Sequence, residues 1–202
     1  MIIIPRKPRV WFPGAIYHIM SRGNNKQNIF TCDKDYSMFL SILKEAQKKN
    51  PFILHSYCLM TNHIHLQIET IDTSISKIMS VILRNYSVYY NSKYGCVGHI
   101  FQGRFQSLLI EDDSYFLQTN RYIHLNPYKA MIVSNPFDYE YSSYQLYLKK
   151  TNSDLVNTEF TLKFFNGDLE KYKSYIEGKA ADSAVEDAIK MDLGEDDFGI
   201  PL

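Results

Sequence analysis

Only three cysteines occur in the 202 residues, Cys32, Cys58 and Cys96, widely spaced and odd in number. That rules out a disulfide framework and fits free thiols in a reducing compartment. No Cys-x-x-Cys pair exists, which argues against a zinc knuckle. No stretch approaches the roughly 18 consecutive apolar residues of a membrane span. The apolar opening is interrupted by Arg6, Lys7 and Arg9 and by Pro5, Pro8 and Pro13, so it lacks the apolar core of a secretory signal. The expectation is a cytoplasmic protein with no membrane segment. Internal repeats and low-complexity tracts are also missing.

Net charge is absent too, with 22 basic and 22 acidic residues, but the balance hides an asymmetry. Residues 1–150 carry 17 Lys+Arg against 10 Asp+Glu, a net +7; residues 151–202 carry 5 against 12, a net −7. A basic body suits a polyanionic partner. The expected division is therefore a basic body, 1–150, and an acidic, helical C-terminal extension, 151–202.

Periodicity orders the body. Ala15–Ser21 reads as a strand ending in a turn at Arg22-Gly23-Asn24-Asn25. Met38, Phe39, Ile42, Leu43 and Ala46 recur at helical spacing within Asp33–Lys48, and Asn50-Pro51 breaks that helix. Phe52–Met60 and His63–Glu69 are strands joined by Thr61-Asn62, a link short enough for an antiparallel hairpin. A long helix follows over Thr73–Tyr94, then a glycine-bearing loop and a strand at Arg104–Ile110. Glu111 to Ser114 supply capping groups for a helix over Ser114–Leu125, which Pro127 should stop. Further helices are expected at Tyr139–Lys149, Leu169–Glu177 and Asp182–Met191, with Gly194–Leu202 frayed. The order β-α-β-β-α-β-α predicts an α+β fold, a ferredoxin-like antiparallel sheet with helices packed on one face.

Two patterns carry chemistry. In His63-Ile64-His65, strand alternation turns both imidazoles to one face, roughly 7 Å apart along the strand, close enough to share a metal. Such pairs also occur as ordinary surface histidines. In Tyr122-Ile123-His124-Leu125-Asn126, positions i and i+4 share a helix face, so Tyr122 and Asn126 project together. Tyr115, seven residues earlier, lies on roughly the same face and competes for any role given to Tyr122. The remaining histidines, His18, His55, His99 and His124, read as packed or solvated. Arg22, Arg104 beside Phe105, and Arg121 beside Tyr122 mix cation with aromatic as phosphates and unstacked bases require.

Taken together, YHIMSRGNN (Tyr17 to Asn25), LMTNHIHLQIE (Leu59 to Glu69), FQGRFQS (Phe101 to Ser107) and RYIHLNPYKA (Arg121 to Ala130) resemble the HUH single-tyrosine transposases, the IS200-like group. The likeness is strongest to its REP-associated tyrosine transposase branch and covers roughly residues 10–145. It implies that His63 and His65 are metal ligands, Asn126 the third, and Tyr122, not Tyr115, the nucleophile. It further implies Mg²⁺ or Mn²⁺ as cofactor with no organic cofactor, single-stranded or hairpin DNA as substrate, and a homodimer. Arg22, Arg104 and Arg121 then become DNA contacts. Two rivals keep the fold: a catalytically silent nucleic-acid-binding regulator, and an endoribonuclease using histidine acid–base catalysis without metal.

Overall fold

The computed structural model describes residues 9–151 and 153–178. The helix expected at Asp182–Met191 and the stretch Gly194–Leu202 lie outside them. Four strands, β1 (Ile16–Arg22), β2 (Phe52–Met60), β3 (His63–Thr70) and β4 (Gln106–Ile110), form one sheet in the order β2-β3-β1-β4. Every neighbouring pair is antiparallel. Helices α1 (Asp33–Lys49) and α2 (Ile75–Tyr94) complete the ferredoxin-like α+β core.

Alternation along β3 decides what each face meets. Ile64, Leu66 and Ile68 are wholly buried on one side, in one cluster with Tyr17 and Ile19 of β1, Phe39 and Leu43 of α1, and Ile78 and Ile82 of α2. His63, His65 and Gln67 point to the other side, which a third long helix, α3 (Asp113–Lys129), covers. The sheet is thus sandwiched, with α1 and α2 on the apolar face and α3 on the polar one. A one-residue register slip between Leu54 and Ser56 turns His55 and Ser56 towards α3 as well. Ser56 Oγ donates to Gln67 Oε1 at 3.0 Å, and His55 Nε2 lies 2.9 Å from Glu69 Oε2 with its ring edge-on to Phe116.

The turn after β1 is tight. A Cβ on Gly23 would lie 2.1 Å from the Gln27 carbonyl oxygen, so only glycine fits where the chain leaves the site-bearing strand.

Helices α1 and α2 are joined at one end by a buried carboxylate. Asp35 Oδ2 accepts from Thr31 N at 2.8 Å and from the Tyr94 hydroxyl at 2.8 Å. Its Oδ1 accepts from the Tyr89 hydroxyl at 2.9 Å and from Lys93 Nζ at 2.6 Å. Burial alone would raise this carboxyl's pKa; the Lys93 ammonium, the Thr31 amide and the two phenols reverse that and hold it well below the usual carboxylate range. A depressed folded-state pKa gives stability that is present above the unfolded value of about 3.9 and is lost as pH falls through the folded value. Asp35→Asn should therefore destabilise the fold at pH 7 by about 3 kcal/mol, the low end for a broken buried pair, since Lys93 is 28% exposed and can turn to water. Melting curves from pH 7 down to pH 3 check this: the wild type should lose stability in acid, and the variant should show a shallower acid limb.

Two expectations are corrected. Pro127 does not stop α3; it sits buried inside the helix, which runs on to Lys129. The proline removes a single intrahelical donor in the last turn, where few bonds remain to be lost. The end is closed instead by Met131 at φ +54°, with Ile132 N donating to Pro127 O and Met131 N to Tyr128 O, both at 3.0 Å. The helix expected over Tyr139–Lys149 shrinks to α4 (Tyr144–Leu148), after a 3-10 turn at Pro136–Asp138. Residues 141–143 stay outside the helix because their backbone seals the open edge of β2: Leu59 N donates to Tyr141 O and Ser143 N to Tyr57 O, around a single bridge between Cys58 and Ser142. Two more helices follow, α5 (Glu159–Lys163) and α6 (Leu169–Glu177), the latter as expected.

Candidate active site

The candidate residues meet between β3 and α3. Gln67 fixes the alignment: its Nε2 donates to Phe116 O at 3.0 Å, and its Oε1 accepts from Asn120 Nδ2 at 3.3 Å. With the first half of α3 tied to β3, the next turn carries Tyr122 and Asn126 over the histidines. His63 Nε2 lies 3.4 Å from Asn126 Oδ1, and His65 Nε2 lies 3.3 Å from Asn126 Nδ2. Tyr122 is 5% exposed, with its ring edge-on to His65 at 5.5 Å between centroids. Lys129 Nζ stands 5.7 Å from the centre of the same phenol ring. Tyr115, the rival, is only half-buried at the margin of this cluster.

Proton placement decides what these groups can hold. Burial lowers the pKa of His63 below its ordinary value, with Arg22 adding to the effect against the Asn126 hydrogen bond, and it drives His65 well down. Both rings are therefore neutral at pH 7 and carry one proton each. His63 has oxygen on both sides, Asn62 Oδ1 at 2.7 Å from Nδ1 and Asn126 Oδ1 at 3.4 Å from Nε2. One proton cannot serve both. The shorter contact takes it, which leaves the Nε2 lone pair facing the Asn126 carbonyl oxygen. Two lone pairs in opposition, beside the Nε2 of His65, form a donor set that a divalent cation would satisfy. Among the described residues no group of three or more His, Cys, Asp or Glu is arranged for a metal, so a third ligand to such an ion would come from the Asn126 amide.

The arginines divide. Arg22 is buried, cross-strand from His63, and belongs to the site. Arg104 is exposed in the loop before β4. Arg121 points the other way, where its Nε donates to Tyr175 O at 2.9 Å and an Nη to Gly178 O at 2.7 Å; it braces α6 against α3. One histidine passed over in the sequence belongs here. His18 of β1 is fully buried, with Nε2 3.1 Å from His65 Nδ1, its ring stacked on His65 and edge-on to Tyr122. Its place in YHIMSRGNN was the available signal, and only the strand order sets it beside His65.

The family model described as "Transposase IS200 like" matches residues 12–126. The chain belongs to the IS200-like transposase family. A transposase role, and with it DNA processing, follows from that membership. Among solved structures, a REP-associated tyrosine transposase bound to a REP hairpin is similar at 17% identity and TM-score 0.63, over 77% of this chain and 96% of that one. It shares the fold. A putative transposase from Deinococcus radiodurans matches at 16% identity and TM-score 0.42, over 59% of this chain and 95% of that one. No curated protein matches significantly. No helix among the described residues is long and apolar enough to cross a membrane.

Proposed function

We propose that this transposase nicks and rejoins single-stranded DNA next to hairpins through a covalent tyrosine intermediate that depends on Mg²⁺ or Mn²⁺. Tyr122 is the nucleophile, and His63, His65 and Asn126 are the metal ligands. The observation that carries this reading is the meeting of two neutral imidazoles, one amide oxygen and one phenol between a strand and a helix. When bound, the divalent ion supplies positive charge to polarise the scissile phosphate. The Tyr122 hydroxyl loses its proton to solvent and attacks phosphorus. A P–O bond forms to the tyrosine, the bond to the 3′ oxygen breaks, and that oxygen leaves as a 3′-hydroxyl. The 5′-phosphotyrosine keeps the phosphodiester energy, so an incoming 3′-hydroxyl reverses the step without ATP.

Arg22 and Arg104 are proposed to hold phosphates beside the break, and Lys129 lies where it can favour the phenolate of Tyr122. The catalytic unit is residues 1–150, and residues 151–202 are an extension whose described part supports α3. A homodimer is also proposed, although the site's side chains already meet within one chain. The test uses an oligonucleotide with a hairpin and a 5′ single-stranded flank, and its RNA counterpart. Mn²⁺ should give DNA cleavage that EDTA abolishes. Cleavage of the RNA that persists in EDTA would instead identify a metal-independent endoribonuclease.

A further inference from the structure

We propose that His18 is a positioning residue that fixes the tautomer of His65 and so prepares its Nε2 to bind metal. The inference rests on the ligand reading above and adds a residue to it. The argument is one of proton count. His65 Nδ1 and His18 Nε2 face each other at 3.1 Å in a fully buried contact, so one of the two atoms carries the shared proton. If His18 donated, His65 would hold its proton on Nε2, pointing at the Asn126 amide with no lone pair to offer. If His65 donates, its Nε2 lone pair is directed at Asn126 and the space beside His63. As acceptor at Nε2, His18 carries its own proton on Nδ1, which has no hydrogen-bond partner among the described residues. A buried imidazole nitrogen left without a partner carries an energetic cost.

The strand pairing holds the contact in place. His18 lies across from Gln67 on β3 and Leu108 on β4, and His65 across from Met20, so the two rings overlap diagonally between adjacent strands. The stacking geometry, 5.3 Å between centroids at 27°, prevents either ring from swinging away without disturbing the other.

Two variants and one spectrum test this. His18→Phe keeps an aromatic ring and removes the acceptor; His18→Gln keeps an acceptor. Mn²⁺ affinity, read by electron paramagnetic resonance of the free ion, should weaken about 10- to 100-fold in His18→Phe and recover most of that loss in His18→Gln. His65→Ala serves as control and should abolish binding. If His65→Ala binds Mn²⁺ normally, the ligand assignment fails. If it does not bind and a folded His18→Phe matches wild type, only the role of His18 fails. Should His18→Phe not fold, long-range ¹H–¹⁵N spectra of the metal-free wild type decide: the prediction is a proton on His65 Nδ1 and none on His18 Nε2, and the opposite assignment overturns the proposal.

Discussion

Tyr122→Phe is expected to lower DNA cleavage by roughly four orders of magnitude or more, as deletion of a covalent nucleophile does, while leaving Mn²⁺ binding and melting temperature near wild type. The separation follows from the geometry. The phenol ring packs edge-on against His65 and His18, and phenylalanine preserves those contacts and the burial. Only the hydroxyl is lost, and no ligand to the proposed metal goes with it. Tyr115→Phe should change the rate a few-fold at most, because Tyr115 lies half-buried at the margin of the cluster, seven residues before Tyr122. Measured side by side, cleavage rate and Mn²⁺ affinity distinguish a missing nucleophile from a damaged site. Loss of both in Tyr122→Phe would mean that the hydroxyl also holds the metal site together, and the lost cleavage would no longer identify a nucleophile.

The largest effect on stability is expected at a residue remote from the chemistry. Tyr172 of α6 is fully buried; its hydroxyl donates to Asn120 Oδ1 at 2.8 Å and accepts from His124 Nδ1 at 2.9 Å. His124, kept neutral by burial with a pKa of about 3, then accepts from Ser143 Oγ through Nε2 at 2.8 Å. Asn120 continues the chain to Gln67, the residue that ties α3 to β3. Tyr172→Ala should cost about 3–5 kcal/mol for the cavity alone and lower Tm by roughly 10 °C. Tyr172→Phe fills the space but leaves Asn120 and His124 without a partner, at about 1–3 kcal/mol. Denaturant titration of both variants separates packing from hydrogen bonding. Equal losses would show that the hydroxyl network carries the effect, and no loss in either would remove α6 as a support for α3.

Much of this arrangement is legible in the sequence where the signal is local. His63-Ile64-His65-Leu66-Gln67 announces its own two faces, and Thr61-Asn62 leaves room only for a hairpin, so β2 and β3 fall close to where alternation puts them. Tyr122 and Asn126 share a face because four residues make about one helical turn. What escapes is whatever depends on a distant partner. Asn126-Pro127 reads locally as a stop, yet Asn126 is held in helix by its contacts with His63 and His65 and Pro127 by burial. Tyr141 to Ser143 look helical until the open edge of β2 claims their backbone. Arg121 reads as a DNA contact beside Tyr122, but neighbours in a helix point about 100° apart, and its partners lie some 54 to 57 positions away. His18 needs the register of β1 on β3 before its relation to His65 can be seen.

The central claim is that Tyr122 becomes covalently joined to DNA. The direct measurement is mass spectrometry of peptides from the protein after incubation with Mn²⁺ and an oligonucleotide carrying a hairpin and a 5′ single-stranded flank. The peptide containing Tyr122 should gain the mass of a 5′-phosphorylated DNA fragment, and the complementary product should end in a 3′-hydroxyl. Cleaved DNA with no protein adduct, or an adduct on Tyr115 instead, would contradict the account.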